Sequence, residues 1–337
     1  MSKIAIIGAS GKLGNATLSA LLTHNLLPAS QIIALTSSTP SSQTWANLSR
    51  QGVTVRHATF EDPSTFTSAL SDVECLFLIS TPNISLDFGL PMTYDGPSIT
   101  SDPEARGREA HHKGAIDAAL SAGVKRIVYS SLAFGFSPAT GGASDESKAG
   151  VMRAHLRTEA YLKSVVAKSD TAVTILREGL YSESWPLYLG YFDVKDAKNE
   201  RDVVHLAGDG KICWTAIHDL GVASAVVLSS GDEFAGKTFY LSTKPHTAKS
   251  VSEIASLVGE ARGKDVSVKI VGRDEHVRYY VEERKMPKPA VEWWVSSYEA
   301  LNQGECLVDD NMLDELLSRV GLKPIPVEET VKNMIEA

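Results

Sequence analysis

The feature that most constrains the fold is a glycine-rich turn directly after a short apolar run near the N-terminus. The run, Ile4 to Ile7, is typical of a strand buried on both faces, and Gly8, Gly11 and Gly14 follow it at intervals of three. Glycine tolerates positive φ and lets the backbone approach a pyrophosphate, while a following helix N-terminus supplies unpaired N–H donors. The turn therefore predicts a dinucleotide site, or else only tight packing of a strand on a helix. The residues assigned to that site are Gly8, Ser10, Gly11, Lys12, Leu13 and Gly14.

Apolar runs of strand length alternate with helical patterns up to about residue 176. After the first unit, strands are predicted at residues 31–35, 53–57, 75–79, 124–130 and 172–176, and helices at 65–70, 106–122 and 147–168. Strands that alternate with helices indicate right-handed crossovers and parallel pairing. The predicted fold class is therefore α/β, a doubly wound parallel sheet of the Rossmann type, with its ligand crevice at the carboxyl ends of the strands.

The alternation weakens after Arg177, where helices are predicted near residues 220–229, 251–262, 275–283 and 309–320. We expect residues 1–180 to form an NAD(P)-binding Rossmann domain to which some later segments return. Residues 181–337 are expected to form a smaller C-terminal α/β lobe on the substrate side.

Two long irregular stretches, residues 81–103 and 135–144, leave predicted strands at their carboxyl ends. Loops of this length within a compact domain are usually functional. They are expected to overhang the crevice as lids, and solvated insertions or subunit contacts remain as alternatives.

Charge and cysteine content exclude several classes of protein. The chain has 33 Lys and Arg against 41 Asp and Glu, a net charge of −8, which disfavours a nucleic-acid partner. Cys75, Cys213 and Cys306 are too scattered for a disulfide framework or a metal site, so no metal is expected. No apolar run reaches the length of a signal-peptide core or a membrane span, which favours a cytoplasmic protein without a membrane partner.

The choice of nicotinamide cofactor depends on the end of the second strand. An acidic residue there favours the free ribose diol of NAD, whereas a basic residue nearby accepts the 2′-phosphate of NADP. The residues at this position are Thr36, Ser37 and Ser38, and Lys12 lies in the glycine turn. Without an acid to repel the phosphate, NADP(H) is the preferred cofactor, and NAD(H) remains open.

Several segments carry a resemblance that covers nearly the whole chain. Besides the glycine turn they are HKGAIDAALSAGV (residues 112–124), VYSSL (128–132), HLRTE (155–159), LREGLYSE (176–183) and LLSRVGLKPIPVEE (316–329). In their order and spacing they resemble the NmrA-like family of atypical short-chain dehydrogenase/reductases, especially the NAD(P)H:quinone oxidoreductase type 2 branch. The resemblance implies a Rossmann fold and a reductase, although regulatory members of the family bind the dinucleotide without turnover.

Ordinary short-chain reductases use a Tyr-x-x-x-Lys pair, in which the lysine lowers the tyrosine pKa. When the helix that contains Thr158 and Glu159 is aligned on that pattern, Val151 stands at the tyrosine position and His155 at the lysine position. The predicted absence of the pair disfavours an ordinary ketone, whose alkoxide must be protonated. It suits a quinone or another conjugated electrophile, because the charge of the hydride spreads into an aromatic phenolate.

The resemblance also assigns roles to residues around the crevice, each of which could instead be ordinary packing. His155 is expected to contact the nicotinamide ribose or to relay a proton near neutral pH. Tyr181 is the nearest replacement acid, and Ser131 is a candidate to orient the substrate. Further cofactor contacts are expected from Ser80, Thr81, Pro82, Ser130 and His155. Substrate contacts are expected from Phe134, Tyr181, Trp185 and Trp294.

These observations predict an NADP(H)-dependent reductase that transfers a hydride to a quinone or similar conjugated small molecule. One alternative is an NADP(H)-binding redox sensor without turnover that acts on a regulatory protein partner. Another is a tailoring reductase or isomerase of specialised metabolism that acts on an imine or enone. The sequence is also compatible with a homo-oligomer.

Overall fold

The computed structural model describes residues 2–90, 106–193, 195 and 203–337. The strands within these residues are β1 (Ile4–Ile6), β2 (Ile32–Thr36), β3 (Thr54–His57), β4 (Cys75–Ile79), β5 (Arg126–Leu132), β6 (Phe136–Ser137), β7 (Gly142–Ala143), β8 (Ala172–Glu178), β9 (Val203–Leu206), β10 (Thr238–Leu241) and β11 (Ser267–Ile270). The helices are α1 (Lys12–Thr23), α2 (Gln43–Arg50), α3 (Ser64–Ala69), α4 (Arg108–Ser121), α5 (Met152–Val166), α6 (Trp185–Tyr188), α7 (Ile217–Ser229), α8 (Val251–Arg262), α9 (Arg273–Arg278), α10 (Lys288–Asn302), α11 (Met312–Ser318) and α12 (Val327–Glu336).

Seven strands form one parallel sheet in the order β10-β8-β5-β4-β1-β2-β3. The strand order reverses between β1 and β4, and this reversal opens a crevice at the carboxyl ends of those strands, where such sheets bind ligands. The predicted α/β class with a doubly wound parallel sheet is confirmed. The sequence pattern does not predict the edge strand β10, because a four-residue run is too short to separate from a loop.

Both faces of the sheet are covered by helices, which explains why its central strands are apolar at successive positions. Ile6 packs on the side of α1, α7 and α11, and Ile7 packs on the side of α3, α4 and α5. Helix α7 reaches α1 closely because Gly221 has no side chain: a Cβ atom there would lie 2.5 Å from Cβ of Ala16. Elements from the C-terminal half of the chain therefore complete the sheet layer.

A second apolar core lies outside the sheet, among α6, α8, α10 and α12 and the parallel pair β9 and β11. Its largest members are aromatic, and the rings of Trp294 and Tyr298 lie 5.4 Å apart. The sequence pattern does not predict α10, the helix that carries both rings. The predicted helix at residues 275–283 is α9 followed by a π-helical turn at Tyr279–Glu283. The domain boundary near residue 180 stays a prediction.

The two irregular stretches differ in the structure. Residues 84–87 of the first stretch form a short 3₁₀ turn, and residues 91–103 lie outside the described part of the chain. The second stretch contains the small hairpin β6 and β7, which Glu305 anchors: its Oε2 accepts from Gly135 N at 3.0 Å and its Oε1 accepts from Lys148 N at 2.9 Å. None of the described helices has the length and apolar character that crossing a bilayer requires.

Candidate dinucleotide and active site

The glycine turn lies between β1 and α1, at the strand-order reversal of the sheet. Gly8 has φ of +67°, and its carbonyl accepts a hydrogen bond from Gly11 N at 2.8 Å. Helix α1 passes so close to this carbonyl that a Cβ atom on Gly14 would lie 2.2 Å from it. The backbone therefore requires glycine at both positions, at Gly8 for its positive φ and at Gly14 for the close approach. The resulting tight turn is the cradle that a pyrophosphate group needs.

The turn is open to solvent where a ligand would approach. Ser10, Gly11 and Lys12 are exposed, and the N–H groups of the first turn of α1 have no partner within the helix. Together with the positive end of the helix dipole they form an anion site. Leu13 departs from its assignment, because its side chain is buried in the apolar core. Only its backbone N–H is available to a ligand.

Hydroxyl groups, with no carboxylate among them, line the chain immediately after β2. Thr36 is buried, and its Oγ1 lies 2.8 Å from Oγ of Ser38, which also accepts a hydrogen bond from Trp45 Nε1 at 3.0 Å. Ser37 and Ser38 are exposed. This local chemistry fits a 2′-phosphate better than it fits a ribose diol that needs an acid.

A buried histidine fixes the segment that leaves β4. Nε2 of His112 lies 3.2 Å from Thr81 N, which can only donate, so Nε2 accepts and the proton is on Nδ1, 2.8 Å from Oγ1 of Thr158. Burial lowers the pKa of His112 well below its usual value. His112 therefore holds Ser80 and Thr81 in place, while Pro82 beyond them is exposed.

A buried ion pair, which the sequence analysis did not single out, anchors the same segment. Nε of Arg108 donates to Oδ2 of Asp87 at 2.7 Å, and both side chains are almost fully buried. The same guanidinium donates to Ser80 Oγ at 3.2 Å and to the carbonyl of Val151 at 2.9 Å. Arg108 thus connects the exit of β4 with the start of α5. A spacing of 21 residues in the sequence gives no signal for such a pair.

His155 lies on α5 beneath the crevice and is 5% exposed. Its Nδ1 is 3.0 Å from the hydroxyl of Tyr129. Burial lowers the pKa of His155 well below its usual value, and burial raises the pKa of Tyr129. Both groups are therefore neutral near pH 7, which disfavours the expected proton relay and leaves a hydrogen bond to a ligand as the role open to His155.

The surroundings of Ser131 disfavour the role of orienting the substrate. Its hydroxyl is buried and donates to Oε1 of Glu159 at 2.5 Å. Glu159 is in turn paired with Arg177, whose Nη2 donates to Oε2 at 2.8 Å. Successive side chains of a strand point to opposite faces, so Ser131 is directed into the α5 side of the sheet. It holds a structural ion pair in place.

Ser130, on the opposite face of β5, lies beside a carboxyl group that the sequence analysis did not assign. Glu178 ends β8 and is fully buried, and the hydroxyl of Tyr181 donates to its Oε2 at 2.9 Å. Burial raises the pKa of Glu178 to about 8. Tyr181 is half-buried, and burial together with Glu178 raises its pKa well above its usual value. A protonated phenol and a titratable carboxyl therefore meet at the carboxyl edge of the sheet.

Three of the four side chains from which substrate contacts are expected are buried, which disfavours that role for them. Phe134, Trp185 and Trp294 are at most 1% exposed and belong to the core of the second lobe. Close packing around these three rings leaves them no surface for a ligand. Tyr181, the fourth, is half-buried.

Other apolar side chains have the exposure that the aromatic candidates lack. They are half-buried, they pack against the core of the second lobe, and they belong to segments at the crevice side of the sheet. These residues are Ile84, Phe88, Leu132 and Val151. Phe88 follows β4, Leu132 ends β5, and Val151 precedes α5. The sequence gives no signal for this set, because its members come from three separate segments.

Comparisons with known proteins agree with the fold. A sequence profile described as the NmrA-like family matches residues 1–318. The NmrA-like family domain-containing oxidoreductase flvB of Aspergillus flavus is 31% identical over 333 residues, which are 98% of this chain and 94% of that protein. Quinone oxidoreductase 2 of Escherichia coli is 33% identical over 266 residues, which are 78% of this chain and 76% of that protein.

Solved structures show the same relationship over full chain lengths. The E. coli NADPH-dependent quinone oxidoreductase in complex with NADPH has a TM-score of 0.73 and 28% identity, covering 98% of this chain and 99% of that one. The triphenylmethane reductase of Citrobacter sp. in complex with NADP(H) has a TM-score of 0.71 and 27% identity, with the same coverage.

Proposed function

The chain belongs to the NmrA-like family, and from that premise we propose that it is an NADP(H)-dependent reductase that transfers a hydride to a quinone or a similar conjugated electrophile. The observation that carries the proposal is the cradle around Gly8, in which Gly14 has no room for a side chain. Such a turn at the reversal of a doubly wound sheet suits a pyrophosphate. The relatives named for NADPH complexes support this choice of cofactor.

The residues present fit the expected cofactor. The backbone of residues 8–14 and the N-terminus of α1 would hold the pyrophosphate, and Lys12 with the hydroxyls of Ser37 and Ser38 would hold a 2′-phosphate. Hydroxyls and a lysine in place of an acid favour NADP(H) over NAD(H). When bound, the reduced nicotinamide supplies a hydride. His155 would then act as a neutral hydrogen-bonding group at the crevice.

The acceptor side is apolar and has few proton donors. The sequence pattern predicts that Val151 and His155 occupy the positions of a Tyr-x-x-x-Lys pair, and on that prediction an acceptor that stabilises its own negative charge is favoured. Ile84, Phe88 and Leu132 would contact a planar acceptor and exclude water from it, and catalysis would depend mainly on orientation. Tyr181 is the proton donor in this proposal. The oxidoreductase names of the relatives, one of them a quinone oxidoreductase, agree with it.

An acceptor panel tests the proposal. Oxidation of NADPH and, separately, NADH is followed by the loss of reduced-nicotinamide absorbance with small quinones, an enone and a cyclic imine, each with a blank that lacks the protein. We expect the fastest turnover with a quinone and a preference for NADPH. Turnover of only the enone or the imine would overturn the quinone assignment in favour of a tailoring reductase.

The redox sensor is separated from both enzymes by the same panel. Tight NADPH binding with no turnover of any acceptor would favour a sensor, and capture of a protein partner would be the next step. The cytoplasmic location, a regulatory partner and a homo-oligomer stay predictions.

A further inference from the structure

Glu178 is a buried carboxyl group beside the one phenol to which the proposed reaction assigns a proton. Its Oε2 accepts from the hydroxyl of Tyr181 at 2.9 Å, and its Oε1 has no hydrogen-bond partner among the described residues. Its cross-strand neighbours are apolar, Leu132 on β5 and Leu241 on β10. A full negative charge on a carboxyl oxygen that lacks a partner in such surroundings costs free energy.

No described cation compensates Glu178. Arg177 precedes it on β8, points to the opposite face and is paired with Glu159. The polar groups beside Glu178 are the hydroxyls of Ser130 and Tyr181, which lower the pKa of its carboxyl. Burial raises that pKa by more, so that it lies at about 8. Glu178 is therefore mainly protonated at neutral pH.

Two further titratable groups, Glu183 and Tyr129, lie near Glu178 and Tyr181, and neither takes the place of Glu178 as the partner of the phenol. Glu183 accepts from Ile217 N at 3.1 Å through each carboxylate oxygen and so caps α7. Tyr129, on β5, lies 3.0 Å from His155. Neither makes a described hydrogen bond to Tyr181, so Glu178 is the titratable partner of that phenol in the described part of the chain.

We propose that Glu178 controls the phenol proton of Tyr181. As a carboxylate, Glu178 accepts that proton across the 2.9 Å contact and withholds it; as a neutral carboxyl, it donates to the phenol oxygen across the same contact, reversing the hydrogen bond, and leaves the phenol proton free for the acceptor. This inference rests on the proposed function. In it Glu178 is a positioning residue, because it acts on the acceptor only through Tyr181.

The proton transfer involves three O–H bonds, those of the acceptor, Tyr181 and Glu178. The acceptor that has gained a hydride takes the proton of Tyr181 at its oxygen, so the phenol O–H bond breaks and an acceptor O–H bond forms. The O–H bond of Glu178 then breaks and the phenol O–H bond forms again. Glu178 is left as a carboxylate and takes a proton from water before the next turnover, so that one hydride and one proton are consumed per acceptor.

The pH profile of Glu178→Gln tests the proposal. Glutamine keeps the size and can donate an N–H to the phenol oxygen, but it has no proton to transfer. In the wild-type protein kcat with a quinone should fall as the pH rises through about 8, with little change in KM. The variant should lose that fall and have a kcat about 100-fold lower at pH 7, near the lower end of general-acid effects. Glu183→Gln, a matched change five residues away, should keep the wild-type profile.

A double-mutant cycle and a titration complete the test. Tyr181→Phe should lower kcat as much as Glu178→Gln, and the double variant should lower it no further, because the two residues serve one proton. Infrared difference spectra should show a protonated carboxyl band that disappears near pH 8 and is absent from Glu178→Gln, whether or not an acceptor is present.

The outcomes separate the two proposals. Wild-type turnover with an unchanged pH profile in Glu178→Gln, additive single variants, or no titrating carboxyl band would overturn the role of Glu178 and leave the reductase standing. A wild-type protein that oxidises NADPH with none of the acceptors would overturn the reductase, and with it the role of Glu178.

Discussion

At the scale of single residues, we expect the choice between NADPH and NADH to depend on one exposed position after β2, Ser37. Ser37→Asp places a carboxylate where the 2′-phosphate is expected, and the resulting repulsion should weaken NADPH binding by at least about 10-fold while NADH binding changes little. Ser37→Asn, which has the same shape without the charge, should bind NADPH like the wild-type protein. Calorimetric titration with both cofactors measures the effect, and equal losses for the two cofactors would contradict the assignment.

The residues that the sequence predicts well are those whose own backbone imposes the constraint. Gly8 and Gly14 can be inferred from spacing alone, because a positive φ and a close approach require glycine whatever surrounds them. Ser131 cannot, since a shift of one position along a strand reverses the face to which a side chain points. The buried state of Trp294 depends on how a whole lobe packs, which no local pattern records.

At the scale of elements, the ion pair of Asp87 and Arg108 connects the exit of β4 with α4 and α5. Asp87→Ala would leave a buried guanidinium without its counter-charge, and the free energy of unfolding should fall by roughly 3–5 kcal/mol. The exposed pair of Asp145 and Lys163 provides the control, because Asp145→Ala should cost at most about 1 kcal/mol. Urea unfolding of both variants measures the difference, and equal losses would show that Asp87 is not an anchor.

Prediction at this scale succeeds for the buried strands and fails for elements that tertiary contacts stabilise. Strands β1 and β4 are apolar at every position, and β2 is apolar up to Thr36 at its end, because helices cover both faces. Helix α2 begins after Ser42, and the sequence analysis does not recognise a helix in its mixture of polar and apolar residues. Helix α10 combines aromatic and polar residues, and the positions of its aromatic residues follow from how it packs on the second lobe. Such elements form because neighbours bury them, so the local sequence gives only weak signals.

At the scale of the whole molecule, stability should depend on pH through a buried histidine of the second lobe. His276 is fully buried among Tyr280, Trp294 and Tyr298, and burial lowers its pKa to about 4. Between pH 6.5 and 4 the unfolded chain binds a proton that the folded chain does not. The stability contributed by neutral His276 is therefore complete above pH 6.5 and should fall by about 3 kcal/mol as the pH decreases to 4.

Urea unfolding as a function of pH measures this dependence. His276→Leu, which removes the titrating group, should show a shallower loss of stability between pH 6.5 and 4 than the wild-type protein. Some loss should persist in the variant, because burial also lowers the pKa values of His112 and His155. Parallel curves for the two proteins would contradict the role of His276.

The central claim is that a dinucleotide bound at the glycine turn supplies the hydride, and the most direct measurement compares two substitutions at Gly11. This residue is exposed and is the N-cap of α1, where Asp and Asn are both favourable, so either variant should fold. NADPH oxidation with a small quinone should be fast in the wild-type protein, reduced far less in Gly11→Asn than in Gly11→Asp, and lost in Gly11→Asp, because only its carboxylate repels the pyrophosphate. Equal oxidation by all three proteins would contradict the claim.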